Sequence, residues 1–213
     1  MWLNPTKIIR KNGLLYNRTF LWRFHCSPFK IMVAEFMLQR TKAEQVEPVY
    51  KKFLQQYPDI LSLSKARVNS VAKYTSSLGL HKRAPVFIAA SKYVIKHCKG
   101  NIPKTREELL KIPGVGDYVA GAIMAVCYNN ADYVIDSNIA RFINRFYGLK
   151  LSGEIRRKKI IIAKSKELFQ TKNQQKFLFA LLDFTALICK PINPGCPICP
   201  LNNNCSFYLS SKI

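Results

Sequence analysis

The end of the sequence constrains the fold more than any other part. Cys189, Cys196, Cys199 and Cys205 follow the spacing C-x6-C-x2-C-x5-C, and the inserts carry Pro191, Pro194, Gly195, Pro197 and Pro200. Proline fixes φ and has no N–H, so this segment cannot continue a helix or join a sheet ladder. It has to form a tight loop in which four sulfurs converge. Four thiols held this closely in sequence make a metal site. A zinc ion bound by all four cysteines and an iron–sulfur cluster both satisfy the spacing. The remaining cysteines, Cys26, Cys98 and Cys127, stand among apolar neighbours and read as small core residues.

The first residues carry charges throughout and no apolar core of a secretory signal, so a reducing, cytoplasmic interior is expected. In such a compartment the cysteines do not make a disulfide framework. No apolar run reaches the ~20 residues of a membrane span. The run Phe177 to Leu182 stops at Asp183, and the run from Tyr118 to Ala131 contains Asn129 and Asn130. Charge narrows the partner. The 213 residues hold 34 Lys and Arg against 12 Asp and Glu, a net charge of +22. A soluble fold with that excess repels itself unless it meets a polyanion. Nucleic acid is the first candidate and an anionic membrane surface the second.

Helical periodicity accounts for most of the chain. Expected helices cover about 30–39, 43–56, 60–63, 65–74 and 82–98, the last ended by Gly100. Pro48 falls in the early part of the second and is expected to shift its start or kink it. Thr105 with Glu108 has the capping-box spacing, so a helix runs to about Lys111. Further helices follow over 117–128, from Asp136 or Ser137 to Tyr147, over 153–169 and over 173–189. No segment alternates with period two for long enough to be a strand. The fold class is all-α.

Between two of these helices lies Pro113-Gly114-Val115-Gly116. The two glycines permit positive φ and leave backbone N–H groups uncovered at the start of the next helix. Such a helix–hairpin–helix can hold an anion, and it grips a nucleic-acid backbone without reading sequence.

Three motifs now occur in order: Leu110 to Gly116, then Val134-Ile135-Asp136-Ser137-Asn138-Ile139-Ala140-Arg141, then the four cysteines. Together they resemble the helix-hairpin-helix DNA glycosylases of the endonuclease III superfamily, in which an aspartate follows the hairpin by about twenty residues, as Asp136 follows Gly116. The resemblance spans about Phe29 to Tyr208. It implies a two-lobed all-α fold, with a six-helix barrel lobe over 30–135 and an iron–sulfur lobe formed by 1–29 with 136–213. DNA would lie in the cleft. At this cysteine spacing it implies a [4Fe–4S] cluster on Cys189, Cys196, Cys199 and Cys205. The implied partner is double-stranded DNA with a mismatched base, met by a monomer without a membrane.

The implied reaction is hydrolysis of an N-glycosidic bond, in which positive charge develops on the sugar. Asp136 matches the carboxylate that stabilises that charge, and an Asp at this point also suits a helix N-cap. Glu35 is an acid in an apolar helix, where burial favours its neutral form and suits it to proton transfer. Tyr118 stands where bifunctional members carry a lysine. A phenol forms no imine with the sugar, so a monofunctional enzyme is expected. Gln39, Arg40, Leu80 and His81 are the residues expected to fill the gap left by a flipped base or touch the orphan base, and Pro113, Gly114, Val115 and Gly116 to hold the DNA backbone. Asp117 departs from the Lys or Arg usual after the second hairpin glycine. Thymine, with uracil, opposite guanine is the expected substrate. Arg40 to Ala43, Leu80 to Ala84 and Leu182 to Cys189 resemble the short thymine glycosylases, and the chain stops soon after Cys205. Met37 to Gln39 and Ala120 to Ile123 look like MutY-type adenine glycosylases, which is the alternative, and a silent mismatch-binding protein is a second.

Overall fold

The computed structural model describes residues 5–12, 18–79 and 83–210. Among them there is no strand. The helices are α1 (Pro5–Asn12), α2 (Pro28–Leu38), α3 (Ala43–Gln56), α4 (Ile60–Ser64), α5 (Val68–Thr75), α6 (Ala84–Cys98), α7 (Arg106–Leu109), α8 (Asp117–Ile123), α9 (Ser137–Phe146), α10 (Lys159–Leu168), α11 (Gln174–Leu187) and α12 (Ser206–Ser210). No helix among the described residues is long and apolar enough to cross a membrane.

The chain packs as two compact units, Thr19–Tyr128 and Met1–Arg18 joined with Asn129–Ile213. In the first, α2 is buried on nearly every side from Phe29 to Met37, as its apolar sequence demands. Ser27 caps its start by accepting from the Lys30 N–H, and Pro28 occupies the first helical position, where no N–H is needed. Helix α3 runs through Pro48 without a break. Helices α3 and α8 both pack against α2, and α6 lies against α4 and α5. Phe53 anchors this core, with Phe87 at 5.5 Å and Tyr57 at 5.0 Å between ring centroids. Helix α6 ends on Lys99 and Gly100, both left-handed, with the Gly100 N–H bonded to the Val94 carbonyl.

Helix α8 is shorter than the sequence pattern suggests. It passes at Met124 into a π-helical turn, Met124–Tyr128. The Tyr128 hydroxyl donates to the Ile102 carbonyl at 2.8 Å and fixes the end of that turn. Such turns insert one extra residue into a helix.

In the second unit α1 packs on α11, and α9 packs on α10, α11 and α12. Phe142, Phe146, Phe177 and Phe184 are almost wholly buried here. The Asp183 carboxylate, also buried, receives Arg18 Nε at 2.7 Å and the Arg18 N–H at 3.1 Å, which ties the segment after α1 to α11. One expected helix starts late: α10 begins at Lys159 instead of near 153. Gly153 is left-handed, and the Glu154 carboxylate is taken up by the Arg156 N–H and guanidinium in a local turn. Side chains that bond their own backbone neighbourhood compete with helix formation in this way.

Candidate active site and cysteine loop

Helices α7 and α8 flank the hairpin. The Thr105 side chain accepts from the Glu108 N–H and donates to its carboxylate at 2.7 Å, so α7 starts where the capping signal placed it. Gly114 has φ of +84°. A Cβ there would lie 2.3 Å from Val86 Cγ1 of α6 and 3.2 Å from Phe36 Cζ of α2. Both conformation and space therefore require glycine. Gly116 differs: its φ is −102°, and a Cβ would meet nothing within 4 Å. The positive φ expected at both glycines occurs at Gly114 alone. Val115 points inward and is buried, while Pro113, Gly114 and Gly116 are exposed. The loop thus shows solvent its backbone and anchors itself by one valine.

The acid after the hairpin has a local partner. Arg106 of α7 donates through Nη1 to the Asp117 carbonyl at 2.8 Å, and the same nitrogen is 3.5 Å from the Asp117 carboxylate. Asp117 therefore joins the two helices of the motif, and its charge is offset on the spot.

Glu35, on α2, is buried at 9% exposure. Its helix packs on α8, whose second residue is Tyr118, half-buried. Gln39 is the first residue beyond α2. Arg40 follows in the left-handed region with φ of 63°, exposed, and turns the chain toward α3. Leu80 and His81 lie outside the described residues. Glu35, Gln39, Arg40, Tyr118 and the hairpin all belong to the unit Thr19–Tyr128.

Asp136 belongs to the other unit and caps α9. One carboxylate oxygen accepts from the Ile139 N–H at 2.7 Å, the other from the Asn138 amide at 3.1 Å. Burial of the carboxyl group raises its pKa above the ordinary carboxylate value. The bonds from Ile139 and Asn138 and the nearby Arg141 pull in the opposite direction, and burial prevails. Asn138 Oδ1 in turn accepts from Arg141 Nη1 at 2.8 Å, and Arg141 Nη2 donates to the carbonyls of Cys189 at 2.7 Å and Thr185 at 3.0 Å. A continuous run of hydrogen bonds so leads from the Asp136 carboxylate to the backbone of the first cysteine of the loop.

That loop is clamped by a second arginine. Arg145 donates to the carbonyls of Lys190 at 2.6 Å and Pro191 at 3.0 Å, its Nη1 approaches Cys189 Sγ at 3.9 Å, and its guanidinium covers the Phe207 ring at 4.7 Å. Cys189, Cys196, Cys199 and Cys205 line one cavity, otherwise walled by Phe142, Phe146, Phe184, Ile188, Pro194 and Leu201 besides Arg145 and Phe207. Burial pushes the Cys199 thiol up to about 11 and raises those of Cys196 and Cys205. No group of three or more His, Cys, Asp or Glu among the described residues is drawn together tightly enough to hold a single metal ion. Four thiols that line one cavity are a donor set suited to a thiolate-bound metal centre. Cys26, Cys98 and Cys127 belong to the unit Thr19–Tyr128, and all three are half-buried instead of lying in the core as expected. Burial raises the Cys127 thiol to about 12.

Three arginines in these contacts escaped the sequence reading: Arg106, Arg141 and Arg145. In a chain this basic, single arginines carry no distinguishing signal. Asn138 and Arg141 do fall inside the motif that contains Asp136, and only their direction was missing.

Comparison with known proteins places the chain. Residues 33–170 match the family described as HhH-GPD superfamily base excision DNA repair protein. The adenine DNA glycosylase of Buchnera aphidicola subsp. Baizongia pistaciae is 33% identical over 92% of this chain and 56% of that protein. The thymine/uracil-DNA glycosylase of Methanothermobacter thermautotrophicus is 31% identical over 90% of this chain and 87% of that protein. The chain thus spans little more than half of the first relative and most of the second. Among solved structures, a thermostable thymine-DNA glycosylase superposes with a TM-score of 0.88 at 29% identity, covering 96% of this chain and 97% of that one. The fold is that of the solved thymine-DNA glycosylase over nearly all of both chains, and with residues 33–170 matched the chain belongs to the HhH-GPD superfamily of base excision DNA repair proteins.

Proposed function

We propose that the protein is a monofunctional, mismatch-specific DNA glycosylase that hydrolyses thymine, and uracil, opposite guanine in double-stranded DNA. The observation that carries this reading is the likeness to a thymine/uracil-DNA glycosylase over 87% of that protein's length, joined to the TM-score of 0.88 with a thymine-DNA glycosylase. Adenine opposite guanine or 8-oxoguanine is the second reading, favoured by the 33% identity to an adenine DNA glycosylase.

In this reading the mismatched base leaves the stack, a step that costs less for a poorly paired base. The exposed hairpin backbone holds the phosphates. Glu35, buried in α2, supplies the proton that the departing base takes up as the bond from C1′ to its nitrogen breaks. Asp136, ionised, stabilises the positive charge on the sugar and accepts the proton of the water that adds to C1′. Tyr118 lacks an amine, so no imine forms and the strand stays intact. Cys189, Cys196, Cys199 and Cys205 would hold a [4Fe–4S] cluster, whose contribution is to order the loop. Arg145 and Arg141 hold that loop through its carbonyls. The protein acts on this reading as a monomer in a reducing cytoplasm.

The test is a panel of duplexes with T·G, U·G, A·G and A·8-oxoguanine, each treated with hot alkali after incubation. Breaks at T·G and U·G are expected. Breaks only at the adenine of the A·G and A·8-oxoguanine duplexes would replace thymine by adenine, breaks without alkali would end the monofunctional reading, and intact strands throughout would leave a binding protein.

A further inference from the structure

The turn after α2 holds a contact that the reaction above does not use. Arg83, the residue that precedes α6, reaches back to Gln39. Its Nη1 donates to Gln39 Oε1 at 2.8 Å and to the Gln39 carbonyl at 3.3 Å. A guanidinium has donors and no acceptor, so only the oxygen of the Gln39 amide can face it. That fixes an orientation which a free glutamine leaves open. With Oε1 taken, the two hydrogens of Nε2 are directed away from Arg83. The same arginine also meets the carbonyl end of α2, where a positive charge is favoured. Immediately beyond, Arg40 turns left-handed and the Thr41 N–H closes on the Leu38 carbonyl at 3.3 Å, so the backbone beneath Gln39 is pinned as well.

We propose that Arg83 is a positioning residue that locks the Gln39 amide with its NH2 outward, so that Gln39 offers DNA donors only and selects the orphan base by its acceptors. The proposal rests on the DNA-repair reading above and adds to it the polarity of the contact. Guanine carries two adjacent acceptors, O6 and N7, whereas cytosine shows an amino donor at the corresponding edge. A donor-only amide pairs with the first and is left unpaired, desolvated and opposed by the second. A glutamine free to turn its amide over would accept either. Arg83 thereby converts a tolerant side chain into a selective one without touching the base.

The measurement is the affinity of the full chain for duplexes bearing a tetrahydrofuran abasic analogue opposite guanine, 2-aminopurine, 7-deazaguanine or cytosine. The wild type should bind the guanine duplex about 10-fold more tightly than the cytosine duplex and than at least one of the two analogues that lack an acceptor. Arg83→Met keeps the aliphatic stem and removes the donors. It should compress these ratios to within about 2-fold of unity, while the guanine duplex itself is bound only modestly less well. Gln39→Glu leaves Arg83 paired but removes the outward donors, and it should lose the ratios too, which keeps the test decisive should Arg83→Met fold poorly. Equal affinity of the wild type for all four duplexes would overturn the proposal. So would an Arg83→Met protein that weakens on every duplex alike and keeps its ratios, since that describes a phosphate contact or a plain helix cap. Excision of uracil from U·G is followed in parallel. Its absence with the ratios intact counts against the glycosylase reading alone.

Discussion

The two hairpin glycines should fail in different ways, and Gly114→Ala is the sharper case. An L-residue at φ of +84° costs about 1–2 kcal/mol. The added methyl also sits 2.3 Å from Val86 Cγ1, an overlap that α6 or the valine must relieve, at a typical overpacking cost of about 1–3 kcal/mol. A total near 3 kcal/mol is expected in urea unfolding followed by circular dichroism. Combining it with Val86→Ala removes the overlap but not the backbone strain. The double variant should therefore be more stable than the two single losses added together, by about 1 kcal/mol or more. Gly116→Ala has neither problem. Its backbone suits any residue and the space is open, so stability should stay within about 0.5 kcal/mol of the wild type. Its cost should appear in duplex affinity, because a methyl then stands where a phosphate comes up to bare backbone. A Gly114→Ala protein as stable as wild type, or one showing no coupling to Val86, would refute the packing account. Unchanged DNA affinity in Gly116→Ala would remove this backbone from the binding surface.

Asp136→Asn keeps a good N-cap, so it should unfold like the wild type and still bind mismatched duplex, yet show at least about 100-fold slower excision under single turnover. Because burial raises the Asp136 pKa, excision should fall as pH drops through a value above the ordinary carboxylate range. The carboxylate is the active form, so activity is present above that pKa and lost below it. Asn138→Ala removes a bond that lowers the pKa and should carry the acid limb of the rate profile to higher pH. Tyr118→Lys introduces an amine and should allow borohydride to trap a covalent complex with DNA, which the wild type does not form. Cys199→Ser should purify with less than half the wild-type iron and lose the visible absorption of a cluster. Equal iron content would remove Cys199 from the ligand set.

Much of the fold was legible because its helices begin and end on strong local chemistry. Thr105 and Asp136 each cap the helix that the sequence assigns them. The errors fall where local bonds override periodicity. Helix α10 starts late because Glu154 binds Arg156 beside it, and α8 gives way to a π-helical turn that no apolar pattern announces. Helix α1 carries too few apolar residues to stand out and owes its place to α11, on which it packs, and to the end of α10, where the Thr6 hydroxyl donates to the Leu168 carbonyl at 3.0 Å. The candidate site divides the same way. Residue types that are rare in their setting, such as the acid in α2 or the four clustered cysteines, could be picked out by eye. The arginines that orient them could not, since each is one of many and its partner lies up to 48 residues away, as Cys189 does from Arg141.

The double duty of Asp136 narrows the routes by which such a protein can drift out of function. Most substitutions there remove the acceptor at the start of α9 together with the carboxylate, so selection for a folded chain opposes them even where excision no longer matters. Asn, Ser, Thr and Gly still suit an N-cap and therefore form the open exits. A descendant kept only for holding DNA should carry one of those four at this position, which makes retired members of the lineage recognisable from a single residue.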